Sequence, residues 1–133
     1  MDTASESTTK KILVVEDEVF LRDLYLEVLT DAGFTVDTAS DGEEACTKMK
    51  QGGYDLVLLD IMLPKKDGMQ ILKELKASPP VSPNKSILIL TNLGQEAVIS
   101  EGIALGVRGY IIKSDYTPDQ LIAEVQRVLA IAS

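Results

Sequence analysis

The sequence predicts an α/β domain: a doubly wound, five-stranded parallel sheet wrapped by five helices. Two observations carry this reading. Short apolar runs such as Ile12-Leu13-Val14-Val15 and Leu56-Val57-Leu58-Leu59 are unbroken by polar residues, as strands covered on both faces are. Between the runs lie longer stretches with apolar residues on a helical period, punctuated by Gly33, Gly52-Gly53 and Gly106.

The first strand is expected over residues 12–15. Residues 18–32 follow as a helix, with Val19, Phe20, Leu24, Leu26, Val28 and Leu29 mostly on one helical period. Residues 34–39 form a weaker second strand. Asp41-Gly42-Glu43-Glu44 opens the second helix with acids that favour a helix N-terminus. Residues 56–59 are the third strand, and the loop through Pro64 leads by Asp67-Gly68 into a helix with Met69, Ile71, Leu72 and Leu75 on one side. Ser78-Pro79-Pro80-Val81-Ser82-Pro83-Asn84 is rich in helix and strand breakers, so it is a surface connection. Residues 87–90 are the fourth strand, residues 95–105 a helix weakened by Gly102, and residues 110–112 the fifth strand. Thr117 as N-cap and Pro118 at the first helical position start the last helix, with its stripe of Leu121, Ile122, Val125, Val128 and Leu129. Right-handed crossovers put the C-terminal ends of all the strands on one rim. Residues 1–10, rich in Ser, Thr and acid, read as a disordered tail, leaving residues 11–131 as one domain.

Bulk composition narrows the function. A chain of 133 residues with 45% hydrophobic content supports one core. Its net charge of −8 argues against direct nucleic-acid binding, which needs cations to displace counterions. The absence of histidine excludes a Ser-His-Asp triad and any His-ligated zinc. Cys46 has no partner for an internal disulfide and reads as a small, partly buried side chain of the second helix. No run reaches the length of a membrane span and no signal pattern opens the chain, so a cytoplasmic location is expected.

The chemistry gathers where the strands end. Glu16-Asp17, Asp60, Thr91 and Lys113 each follow or close an apolar run, so a parallel sheet delivers them to the edge where such sheets place active sites. Glu16 and Asp17 have a competing role as helix caps. Asp60 has none, because Ile61-Met62-Leu63-Pro64 follows it and no helix starts there. Three acids at one rim repel, by about 4 kcal/mol per pair at 4 Å and an effective dielectric near 20. A magnesium ion with oxygen ligands relieves this, and the three carboxylates, the dication and Lys113 then balance in charge. Lys113 reads as a clamp on a phosphoryl oxygen and Thr91 as a hydroxyl donor to another. Asp60 reads as the nucleophile, ionised at an ordinary carboxylate pKa near 4.

At these residues the chain resembles a bacterial response-regulator receiver domain. The markers are Ile-Leu-Val-Val-Glu16-Asp17-Glu18, the block from Asp60 through Pro64 to Gly68, Thr91 after the fourth strand, and Tyr110-Ile111-Ile112-Lys113. The resemblance spans residues 11–130 and implies a flavodoxin-like strand order of 2-1-3-4-5. It implies that Asp60 accepts a phosphoryl group from the phosphohistidine of a sensor histidine kinase or phosphotransfer protein. Asp17, Asp60 and the Met62 backbone carbonyl would ligate magnesium, with Glu16 acting partly through water. Thr91 and Lys113 would contact phosphoryl oxygens, and Tyr110 would be the switch aromatic that turns inward as Thr91 moves. The implied output is a stand-alone switch whose fourth-helix, fifth-strand and fifth-helix face contacts a downstream protein, as a monomer or a weak phosphorylation-dependent dimer. It would catalyse only its own phosphorylation and dephosphorylation, with no membrane partner.

Two positions depart from the family pattern. Ser114 stands where many receivers have a cis proline, and a non-proline cis bond costs about 3 kcal/mol, so the loop differs or is strained. Asn92 stands where a small residue is usual and is expected to alter phosphorylation or hydrolysis rates. Two other readings compete: a receiver-like interaction module that is never phosphorylated, and an aspartate-nucleophile phosphohydrolase. The latter is disfavoured because Met62 occupies the position where those enzymes carry a second aspartate.

Overall fold

The computed structural model describes residues 9–92 and 96–132. Most of the expected N-terminal tail, and Gln95 at the start of the fourth expected helix, lie outside them. The elements are β1 (Lys11–Val15), α1 (Val19–Asp31), β2 (Thr35–Ala39), α2 (Gly42–Gln51), β3 (Leu56–Asp60), α3 (Gly68–Ala77), β4 (Ile87–Thr91), α4 (Glu96–Ala104), β5 (Gly109–Ile112) and α5 (Pro118–Ala132), with a 3-10 turn at Lys113–Asp115 before α5. All strand pairs are parallel, in the order β2-β1-β3-β4-β5.

The unbroken apolar runs are explained by two cores. Leu13, Val15, Val57, Leu59 and Ile89 point to one face, where Ala45 and Met49 of α2 and Ile71, Leu72 and Leu75 of α3 cover them. Ile12, Val14, Leu56, Leu58, Leu88, Leu90 and Ile111 point to the other, under Tyr25 and Leu29 of α1 and Leu121, Val125 and Val128 of α5. Alternate residues therefore serve opposite cores, which is the period-two geometry of a strand buried on both sides. β2 is one of the two edge strands, and only Ala39 of it is fully buried.

Capping fixes where several helices begin. Asp41 and Asp67 accept from the backbone N–H groups of Glu44 and Gln70 at 2.8 and 2.9 Å. Thr117 and Gln120 form a reciprocal capping box, each side chain accepting from the other's backbone N–H. α1 differs: its N-cap Glu18 makes no side-chain cap bond, and the Glu18 backbone N–H instead donates to Glu16 Oε2 at 3.1 Å.

β3 and β4 run one residue further than their apolar runs. Asp60 pairs in register with Leu90, and Thr91 with Ile112. Both are the last residues of ladder-bonded strands, so the sheet itself holds them.

Candidate phosphoacceptor site

Glu16, Asp17 and Asp60 meet at the C-terminal rim, with one carboxylate oxygen of each within 4.8 Å of the others. Glu16 and Asp60 are buried and Asp17 is exposed. Adjacent in sequence, Glu16 and Asp17 thus differ in burial while their carboxylates converge on one point. Lys113, delivered by the turn after β5, reaches back between the two buried acids. Its ammonium lies 2.7 Å from Glu16 Oε1 and 2.9 Å from Asp60 Oδ2. The Met62 backbone N–H donates to Asp60 Oδ1 at 3.0 Å, which fixes the carboxylate plane.

Burial pushes the Asp60 carboxyl up to about 6. The Lys113 ammonium pulls the other way and the nearby Glu16 charge adds to the rise. This corrects the ordinary value near 4 expected from sequence, because removal from water disfavours the charged form. Asp60 is still mainly ionised at neutral pH. Burial alone would depress Lys113, but Glu16 and Asp60 outweigh it and hold the ammonium above its usual range.

Thr91 is buried at the end of β4, and among the described residues its hydroxyl donates to the carbonyl of Asn92, at 3.2 Å. A local bond of this kind is readily exchanged for a better acceptor. Tyr110 of β5 points outward and is 45% exposed. Asn92 is exposed beside Thr91. No peptide bond is cis among the described residues, and Ser114 sits inside the 3-10 turn. The loop after Lys113 therefore differs from the cis-proline form.

The donor set fits a magnesium ion. All the side-chain ligands are hard oxygens, the exposed Asp17 leaves a side open to water, and the net charge with Lys113 is that of an unbalanced dianion. Glu16 Oε1 is buried with no hydrogen bond, only its ion pair to Lys113, so it retains capacity for a water or cation.

Two residues that sequence reading passed over support this site. The Arg22 guanidinium of α1 donates to the backbone carbonyls of Glu16, at 3.0 Å, and Asp17, at 3.4 Å, pinning the loop that carries both acids. Tyr25, one turn further along α1, is buried, and its phenol is raised by that burial and by the charge of Glu16. Their i, i+3 spacing on the helix face nearest Glu16 was the available signal.

A profile of the response regulator receiver domain matches residues 12–126. The transcriptional regulatory protein ResD of Bacillus subtilis is 36% identical over 100% of this chain and 52% of its own length. The chemotaxis protein CheY of Thermotoga maritima is 31% identical over 90% of this chain and 97% of its own. The chain thus spans about half the length of the transcriptional regulator and nearly all of the chemotaxis protein. Among solved structures, the chemotaxis response regulator CheY4 of Vibrio cholerae superposes with a TM-score of 0.78 at 31% identity, covering 91% of this chain and 99% of that one. With its parallel sheet in the order 2-1-3-4-5 and these residues at its rim, the chain belongs to the response regulator receiver domain family.

Proposed function

We propose that this receiver domain takes a phosphoryl group onto Asp60 from the phosphohistidine of a sensor kinase or phosphotransfer protein, in a magnesium-dependent step. The observation that carries the reading is the sharing of one partly buried ammonium by Asp60 and Glu16, with Asp17 beside them and a hydroxyl at the next strand end. This arrangement provides a nucleophile, a metal site and two groups for phosphoryl oxygens.

Asp17, Asp60 and the Met62 carbonyl would hold magnesium, with Glu16 partly through water, and the ion would neutralise charge on the reacting phosphoryl group. The rest is done by the chain. One Asp60 carboxylate oxygen attacks phosphorus in line. An O–P bond forms as the P–N bond breaks, and the departing imidazole keeps the electron pair and takes a proton. Lys113, already 2.9 Å from Asp60, shifts to a new phosphoryl oxygen. Thr91 exchanges its Asn92 carbonyl for another, and the space it vacates favours an inward Tyr110. The phosphoryl group thereby biases one of two packings of the α4–β5–α5 face toward a downstream protein. The domain acts as a signalling element that catalyses only reactions of its own acyl phosphate.

The test is intact mass after incubation with magnesium and acetyl phosphate, beside an Asp60→Asn control. A labile single adduct on the parent alone supports the reading. No adduct, together with no response to beryllofluoride and magnesium, would leave an unphosphorylated interaction module.

A further inference from the structure

The loop between β3 and α3 carries Met62 and holds the only described non-glycine residue at positive φ, Lys65 at 71°. The Lys66 N–H donates to the Pro64 carbonyl at 2.8 Å, closing a three-residue turn around Lys65. A turn with its central residue at positive φ is rare and strained. The same Pro64 carbonyl accepts a second bond, from the Gly42 N–H at the start of α2, at 3.1 Å. The approach is possible only because Gly42 lacks a side chain. A Cβ there would sit 1.6 Å from the Lys66 carbonyl oxygen and 2.5 Å from its carbon. Lys65 itself reaches Asp41 and Glu43 of the same helix start, at 3.4 and 3.9 Å. At its far end the loop is closed by Gly68 N–H to the Ile61 carbonyl, at 2.9 Å.

We propose that Gly42 is a positioning residue for the metal site: the bare start of α2 holds the strained Pro64–Lys66 turn and so sets where the Met62 carbonyl lies. The inference rests on the magnesium site proposed above. Met62 is two residues from the held Pro64, and its own N–H is fixed to Asp60. The carbonyl between these two anchors has little freedom. Groups that orient metal ligands from behind typically matter by about 10–100-fold in affinity.

Isothermal titration with magnesium chloride on the full chain tests this, with a thermal melt to establish folding. In Gly42→Ala the backbone of the loop must give way, and the magnesium dissociation constant is expected to rise about tenfold or more while the melt stays cooperative. An unchanged constant in a cooperatively folded Gly42→Ala would overturn the proposal. Should that variant not fold, two exposed substitutions decide. Lys65→Val and Lys65→Gly both remove the charge, but only valine resists positive φ. Weaker magnesium binding in Lys65→Val than in Lys65→Gly is expected, and equal affinities would overturn it. A parent chain that binds no magnesium would remove the metal-site reading and this inference together. Binding by the parent with no effect of the substitutions removes only the inference.

Discussion

The Lys113 ammonium stands 2.9 Å from the Asp60 carboxylate although 53 residues separate them in the chain. Glu16 completes the contact at 2.7 Å, so a single cation compensates two buried acids before any metal arrives. A magnesium ion held there as proposed would compete electrostatically with the lysine for the same carboxylates.

That competition predicts opposite effects of Lys113→Met on binding and chemistry. With the ammonium gone, magnesium is expected to bind more tightly, while acyl phosphate formation slows by about 100-fold for want of a phosphoryl contact. Metal-free stability should fall by about 3 kcal/mol, because two buried acids lose their counter-charge. Calorimetry and rapid-quench phosphorylation read the two effects separately. Weaker metal binding in the variant would contradict the competition.

Asp60→Asn should abolish the adduct and also stabilise the metal-free protein. A carboxyl raised to about 6 is destabilising when ionised. The penalty is absent below the unfolded pKa near 4, grows as pH rises, and is complete above the folded value. Since Lys113 loses a charged partner, the net gain at pH 7 is expected to be only about 1–2 kcal/mol. Urea unfolding at pH 7 and at pH 4 checks it: the advantage should shrink in acid, and a constant offset would sink the electrostatic account.

Thr91→Ala removes a hydroxyl whose one partner among the described residues is the neighbouring Asn92 carbonyl. Stability and magnesium affinity should change little, whereas phosphorylation by acetyl phosphate should slow by about tenfold or more. A variant that phosphorylates at the parental rate would remove Thr91 from the phosphoryl contacts.

Acid sensitivity should also have a source away from the site. At Asp37, burial opposes the charge, but hydrogen bonds from Lys48, Tyr54 and the Thr38 N–H outweigh it and hold the carboxyl below its usual range. Lys48 is 3.0 Å from Asp37, and Tyr54 donates to it at 2.8 Å, tying β2 to α2 and to the segment that leads into β3. A depressed carboxyl contributes stability above its unfolded pKa, and loses it as pH falls through the folded value. Asp37→Asn should therefore be less stable than the parent at pH 7 and converge with it in acid, as pH falls through the depressed folded value. Parallel stability curves across that range would refute this.

The strands were legible because each core-facing residue has another core on its opposite side, so the runs at Ile12 and Leu56 contain no polar break. The helix starts at Asp41, Asp67 and Thr117 were legible for an equally local reason, since a cap is made within a few residues. The rim residues could be named because parallel strands of one sheet all end on one side. Local sequence also identified Asp60 as an acid with no helix to cap.

What the sequence determined by itself was thus the set of chemical groups and the edge on which they gather. Only the tertiary structure decided how they are partnered. It buried Glu16 and left adjacent Asp17 exposed, brought Lys113 between two acids from a distant strand, and lifted Asp60 out of the ordinary carboxylate range. It also pressed Gly42 against the turn at Lys65, a contact between backbones that no side-chain pattern announces. Periodicity and capping are short-range and can be read along the chain, whereas desolvation and ion pairing depend on which distant segments the packed sheet places side by side.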